Sequence, residues 1–151
     1  MPKRYNKKAV ERMRRKIRDK DERPPMNRKK RPMSNLEQIV ADMLDDLKVE
    51  YEREKPLKYL QGWRYYDFNL IEHGVLIEVD GNYWHDSRGK PSYVIMMAKK
   101  NDIIKNWLAK KEGYELIRIK EKELIGEYDT IKENISQRVR RNKRWEQTPT
   151  T

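Results

Sequence analysis

The sequence predicts an α/β fold. One domain carries a mixed β-sheet flanked by helices in the order α-β-β-β-α-β, with basic tails at both ends. Two observations predict it. Apolar residues recur at helical spacing in two segments, and alternate at strand spacing in the segments between and after them. The net charge of +11 is confined to the first 31 residues, which hold 15 Lys/Arg against 4 Asp/Glu, and the rest of the chain is balanced.

Residues 1–33 have few large apolar side chains and contain Pro24, Pro25 and Pro32, so a flexible arm is expected. Residues 7–20 suit a basic helix lying on a polyanion, and residues 21–32 read as a linker. Such an arm favours nucleic acid, because each neutralised phosphate releases condensed counterions. A solvated tail, an RNA or an acidic protein partner would use the same charge.

The folded core is expected over 34–125, followed by a C-terminal helix and basic tail over 126–151. Ser34 and Glu37 have capping-box spacing, and Leu36, Ile39, Val40, Met43, Leu44 and Leu47 form the stripe of a first helix. A short strand is expected near 49–52, and a longer one over 63–70. After a turn at Glu72-His73-Gly74, residues 75–80 form the clearest strand. There Val75, Ile77 and Val79 face one side and Leu76, Glu78 and Asp80 the other. Residues 81–92 read as a loop. A long helix follows over 93–111, with Val94, Met97, Ile104 and Leu108 as its apolar stripe, widened by Ile103 and Trp107. Gly113 is a helix stop. A strand over 114–119 and a helix over 129–139 complete the core, and Arg138, Arg140, Arg141, Lys143 and Arg144 make the end basic.

Composition excludes several chemistries. Without cysteine there are no disulfides, zinc–thiolate sites or cysteine nucleophiles. No apolar run approaches the ~20 residues of a membrane helix, and no secretory core follows Met1. A cytoplasmic protein with no membrane partner is expected.

The chemistry lies in Tyr66-Asp67-Phe68 and Glu78-Val79-Asp80-Gly81. A hairpin turn at Glu72-His73 sets Asp67 opposite Glu78, and one at His73-Gly74 sets it opposite Asp80. Either register is expected to converge three carboxylates on one face, since opposed residues share a face about 5 Å apart. Unpaired, they repel one another. A hard divalent cation resolves this, and Mg²⁺ is the usual one beside phosphate. Acids pointing to solvent are the bland alternative. His85, five residues after Asp80, is by spacing alone a surface loop histidine more often than a base, although beside a metal such a residue can act as a general base towards water. His73 is structural or solvent-facing. Asp102 reads as a helix-surface acid pairing with Lys105 or Asn106, although Ala98 and Ala109 near its face would let that side approach the sheet. Glu37 reads as the capping-box residue.

Together these residues resemble the very-short-patch-repair type of endonuclease, a branch of the PD-(D/E)XK fold, and the related phage homing endonucleases described by the pattern EDxHD. Glu37, Asp67, Val79, His85 and Asp102 fall in the pattern's order. Asp80-Gly81-Asn82-Tyr83-Trp84-His85 is similar to the repair enzymes' Gly-x-Phe/Tyr-Trp-His segment, and Asn101-Asp102, Leu108, Gly113-Tyr114 and 116–119 to their ending. The likeness covers 34–120. It departs from the family in three places. Asp80 stands where the wider fold has a lysine, Val79 replaces a threonine, and the repair enzymes' zinc ligands are missing.

The resemblance implies a restriction-endonuclease-like core that hydrolyses a DNA phosphodiester with Mg²⁺, or Mn²⁺ in its place. Asp67 would ligate the metal, with the Val79 carbonyl and Glu78 or Asp80. His85, oriented by Asp102, would take the proton from water, and Glu37 would complete the catalytic set. Lys99 and Lys100 would hold phosphate. Tyr83, Trp84 and the arm residues Arg14, Arg15, Lys16, Lys29, Lys30 and Arg31 would grip double-stranded DNA through its backbone. A homodimer is left open. A branched-DNA resolvase of the same fold, and a non-catalytic nucleic-acid-binding protein, are the rival readings.

Overall fold

In a computed structural model, the structure describes residues 31–81 and 89–142, together with Lys8, Arg12 and Pro24. The elements are α1 (Asn35–Asp46), β1 (Tyr51–Tyr59), β2 (Gly62–Leu70), β3 (Val75–Asp80), α2 (Ser92–Lys111), β4 (Glu115–Lys120), α3 (Glu121–Gly126) and α4 (Tyr128–Arg141). The four strands form one mixed sheet in the order β1-β2-β3-β4. Strands β1 to β3 are antiparallel, and α2 carries the chain across to β4, which lies parallel to β3.

Two clusters make three layers. Val40, Met43 and Leu44 of α1, Leu124 of α3, and Ile131 and Ile135 of α4 cover one sheet face through Phe68, Leu70, Val75, Ile77 and Ile119. Leu108 and Ala109 of α2 cover the other through Leu57, Tyr66 and Leu76. The first cluster follows from the expected stripe of α1 and the alternation of β3. Because Ile131 and Ile135 lie in that cluster, the C-terminal helix is integral to the core.

The structure corrects two expectations. Strand β1 is nine residues long, where 49–52 had signalled a short strand. It runs through Pro56, which an edge strand tolerates because no ladder bond is needed from that nitrogen. In α2, Met97, Ile103 and Trp107 of the expected stripe are exposed. The helix instead meets the sheet through Ala109 and Leu108 near its end, where a small side chain permits close approach. This is the side on which Asp102 lies.

One irregularity positions the site. Side chains two residues apart on a strand normally face the same way. Yet Phe68 belongs to the cluster under α1 and Tyr66 to the cluster under α2. The neighbouring strand does the same, with Tyr51 in the first cluster and Leu57 in the second. The register is unbroken, Arg53 pairing with Phe68 and Lys55 with Tyr66. The hairpin therefore turns over between these rungs without an inserted residue. Glu54 lies at the turnover with φ of 55°, a left-handed conformation unusual outside glycine. Strands β2 and β3 pair over Phe68–Ile77, Asn69–Leu76 and Leu70–Val75, and their pairing ends there. The β1–β2 and β3–β4 ribbons part at Asp67.

Candidate functional site

Leu70 pairs with Val75, so the turn is centred on Glu72-His73, and continuing this register puts Asp67 opposite Glu78. At that rung side chains replace the ladder. The Asp67 amide donates to Glu78 Oε1 at 3.1 Å, and the Val79 amide donates to Asp67 Oδ2 at 2.8 Å. Two carboxylates thus accept main-chain N–H groups that the separating strands would otherwise leave unmet.

Both acids are hard to ionise. Burial pushes Glu78 up to about 7, with the Asp67 charge adding to the rise and Lys105 opposing it. Burial also raises Asp67, against the Val79 amide bond that lowers it, and Glu37 raises it further. Burial, and then Glu78, lift the neighbouring Tyr66 to about 12.

Cations from three elements and from the segment ahead of α1 meet these and the neighbouring acids. Lys105 Nζ on α2 lies 3.0 Å from Glu78 Oε2. Arg31 Nη2, ahead of α1, is shared between Glu37 Oε1 at 3.3 Å and Asp67 Oδ1 at 3.4 Å, and its Nε lies 4.0 Å from Glu54 Oε1. Arg53 Nη2 on β1 reaches Glu37 Oε2 at 3.2 Å. Arg118 Nη1 on β4 lies 3.4 Å from both Asp80 Oδ2 and Asp102 Oδ1.

Glu37 makes only part of the capping box. Its amide donates to Ser34 Oγ at 3.2 Å, while its carboxylate turns to Arg31 and Arg53 beside Asp67. Asp102 pairs with Arg118, not with Lys105 or Asn106, because α2 presents that side to β4. Arg118 also donates to the Asp102 carbonyl at 3.3 Å and to Asn106 Oδ1 at 2.8 Å. Asp80 joins Asp102 on this same guanidinium. Val79 meets Asp67 through its amide nitrogen. Lys99 and Lys100 are exposed on α2. His85, Tyr83, Trp84, Arg14, Arg15, Lys16, Lys29, Lys30, Lys143 and Arg144 lie outside the described residues. Within the expected arm helix, Lys8 and Arg12 are helical and exposed.

The expected convergence of three carboxylates is replaced by two neighbouring groups. Asp67 lies with Glu78 on one hand and Glu37 on the other, and Asp80 lies with Asp102. Arg31 is shared by Glu37 and Asp67, Arg118 by Asp80 and Asp102, and Lys105 serves Glu78. Among the described residues, no three Asp, Glu or His side chains are grouped to cage a metal ion. The Asp67–Glu78 pair still fits an open Mg²⁺ site. That ion keeps several waters and takes one or two carboxylates plus phosphate oxygens. The two acids call for positive charge, which Arg31 and Lys105 supply here.

No protein-family model matches the chain, and no curated protein matches it. Among solved structures, the chain is similar to the catalytic domain of the homing endonuclease I-Bth0305I, at 26% identity and a TM-score of 0.51. The match covers 70% of this chain and 93% of that one. This is a homing-endonuclease-like fold. The likeness spans almost the whole of the homing-endonuclease domain and so concerns its architecture, not a fragment of it.

Sequence reasoning missed Glu54, Arg53, Lys105 and Arg118 as neighbours of the acids. Composition alone does not separate Lys105 from Lys99, Lys100, Lys110 or Lys111 of the same helix. A partial signal existed for Lys105, which shares a helix side with Ala98, Asp102 and Ala109 at i−7, i−3 and i+4.

Proposed function

We propose that the chain is a Mg²⁺-dependent endodeoxyribonuclease of the PD-(D/E)XK type that hydrolyses a phosphodiester of double-stranded DNA. The observation that carries this reading is the Asp67–Glu78 pair, a half-buried and a buried carboxylate joined where the sheet parts, in a fold similar to a homing endonuclease's catalytic domain. Asp67 and Glu78 supply hard oxygen ligands, and Mn²⁺ can take the place of Mg²⁺. Held there, the ion would supply a water of lowered pKa and charge to offset that building on the phosphate.

The chain's own groups do the rest. Asp67 is held in place by the Val79 amide, which fixes one carboxylate oxygen and leaves the other at Arg31. The Arg31 guanidinium occupies a cation position between Glu37 and Asp67, and it yields to an incoming cation because it is 62% exposed. His85 takes the proton from water, as the resemblance implies. Asp102, with 43% of its side chain exposed and one oxygen at Arg118, orients that imidazole. Lys99, Lys100 and the arm hold the DNA backbone. Such an enzyme works in the cytoplasm, in a phage-infected host if the phage-homing likeness extends to its origin.

Supercoiled plasmid incubated with Mg²⁺ or with excess EDTA tests the reading. Nicking in Mg²⁺ and none in EDTA is expected. Undiminished cleavage in EDTA would remove the metal from the mechanism. Failure to cleave any DNA with any divalent ion would leave a binding protein. A four-way junction offered in competition reports a preference for branched DNA.

A further inference from the structure

The acids of this site repel the phosphodiester they are proposed to cleave, so a cation of the chain must face the phosphate. Most nearby cations are already committed. Arg53 donates to Glu37 and to the Arg31 carbonyl. Arg118 donates to Asp80, to Asp102 and to Asn106. Arg31 is divided among Glu37, Glu54 and Asp67. Lys105 is different. An ammonium has three N–H donors, and among the described residues its hydrogen bond goes to Glu78 alone.

Lys105 is also held in place more firmly than an ordinary helix lysine. Tyr66 Oη donates to its carbonyl at 2.8 Å, and its ammonium stands 5.3 Å from the centre of the same ring. The next helical turn, Leu108 and Ala109, is buried against the sheet. Its side chain retains 14% exposure, so a path to solvent remains beside Asp67 and Glu78. A lysine anchored at its backbone and along its stem, with donors to spare, meets a phosphate oxygen at little further entropic cost.

We propose that Lys105 contacts the backbone phosphate that enters the site beside Asp67. This rests on the nuclease reading. The lysine does more than neutralise Glu78: it draws the substrate's non-bridging oxygen to the acid pair and offsets charge there.

A double substitution separates the two roles. Glu78→Gln removes the acid that a purely structural lysine would serve. In the full chain carrying Glu78→Gln, gel-shift DNA affinity is measured across salt with and without Lys105→Met. Methionine keeps the stem packed on Tyr66. The expected result is a log–log salt slope shallower by about 1, the signature of one lost phosphate contact. An unchanged slope overturns the proposal and leaves Lys105 as a counter-charge for Glu78. Far-UV circular dichroism and thermal melting confirm folding. If the Met variant does not fold, Lys105→Gln is used, since it removes the charge but keeps a donor. Plasmid nicking by the parent chain decides the nuclease reading separately, because the salt slope needs no cleavage.

Discussion

At the residue scale, Asp67 and Glu78 stand in for missing ladder carbonyls, Glu78 buried and Asp67 half-buried in doing so. This has a pH consequence. Glu78 titrates near about 7 in the fold, above the ordinary 4.5. A carboxylate whose folded pKa is raised stabilises the fold while it is protonated. That stability is present below the unfolded value and is lost as pH rises through the folded one. In EDTA, the thermal midpoint should therefore fall between about pH 5 and about pH 8. Glu78→Gln should flatten that decline, and Mg²⁺ should reverse it at the alkaline end by binding the native state. A parent chain whose midpoint does not change over that range would contradict the assignment. The acids were legible in the sequence because they sit on adjacent strands of one hairpin, whose register a turn nearly fixes. Their cations were not. Arg53 is 16 residues from Glu37, Lys105 is 27 from Glu78 and Arg118 is 38 from Asp80. No local period links such pairs.

At the element scale, the β1–β2 hairpin turns over at Glu54 and Asp67, and this changes which helix its two halves meet. Tyr51 meets Phe68 edge to face, with ring centroids 5.3 Å apart, on the α1 side. Tyr59 meets Trp107 of α2 at 6.3 Å beyond the turnover. Holding Glu54 in the left-handed region costs a non-glycine residue about 1–2 kcal/mol. Glu54→Gly should relieve that strain and so lie above Glu54→Val in stability. Glu54→Val should be destabilised by ~1–2 kcal/mol or more, because a β-branched side chain tolerates this conformation least. Denaturant melts of the three proteins test this, and equal stability for Val and Gly would contradict the turnover geometry. Strand β1 was only faintly legible, since its charged residues and Pro56 carry little strand signal and its pairing with β2 decides its conformation. The α2 stripe misled because periodicity marks an apolar face without saying whether anything covers it. The covered side is the one carrying Ala109.

At the scale of the whole molecule, charge and fold are separate: a balanced α/β core follows an arm that holds the entire excess of +11. Arg31 joins the two, for it ends the basic run and lies on the acids of the core. Deleting residues 1–30 should flatten the salt dependence of DNA affinity while the core still folds. Ser34 still caps α1, and Arg31 still bridges Glu37 and Asp67. An unchanged salt slope would show that the arm does not touch phosphate. The order of α1, β2, β3, α2, β4 and α4 was legible from apolar period and turn residues, whereas the short helix α3 had no signal of its own. The parting of the two ribbons was not, because it depends on side chains replacing main-chain bonds at a single rung.

The central claim is that Asp67 is the acid on which metal-dependent cleavage turns. Single-turnover nicking by the parent and by Asp67→Asn, across a Mg²⁺ titration and with gel-shift affinity alongside, tests it most directly. Asparagine keeps the shape and an oxygen for the Val79 amide but removes the charge. The account predicts cleavage reduced by roughly 10²-fold or more and a midpoint shifted to higher Mg²⁺, with DNA binding retained. Cleavage at the parent rate with the parent midpoint would contradict it.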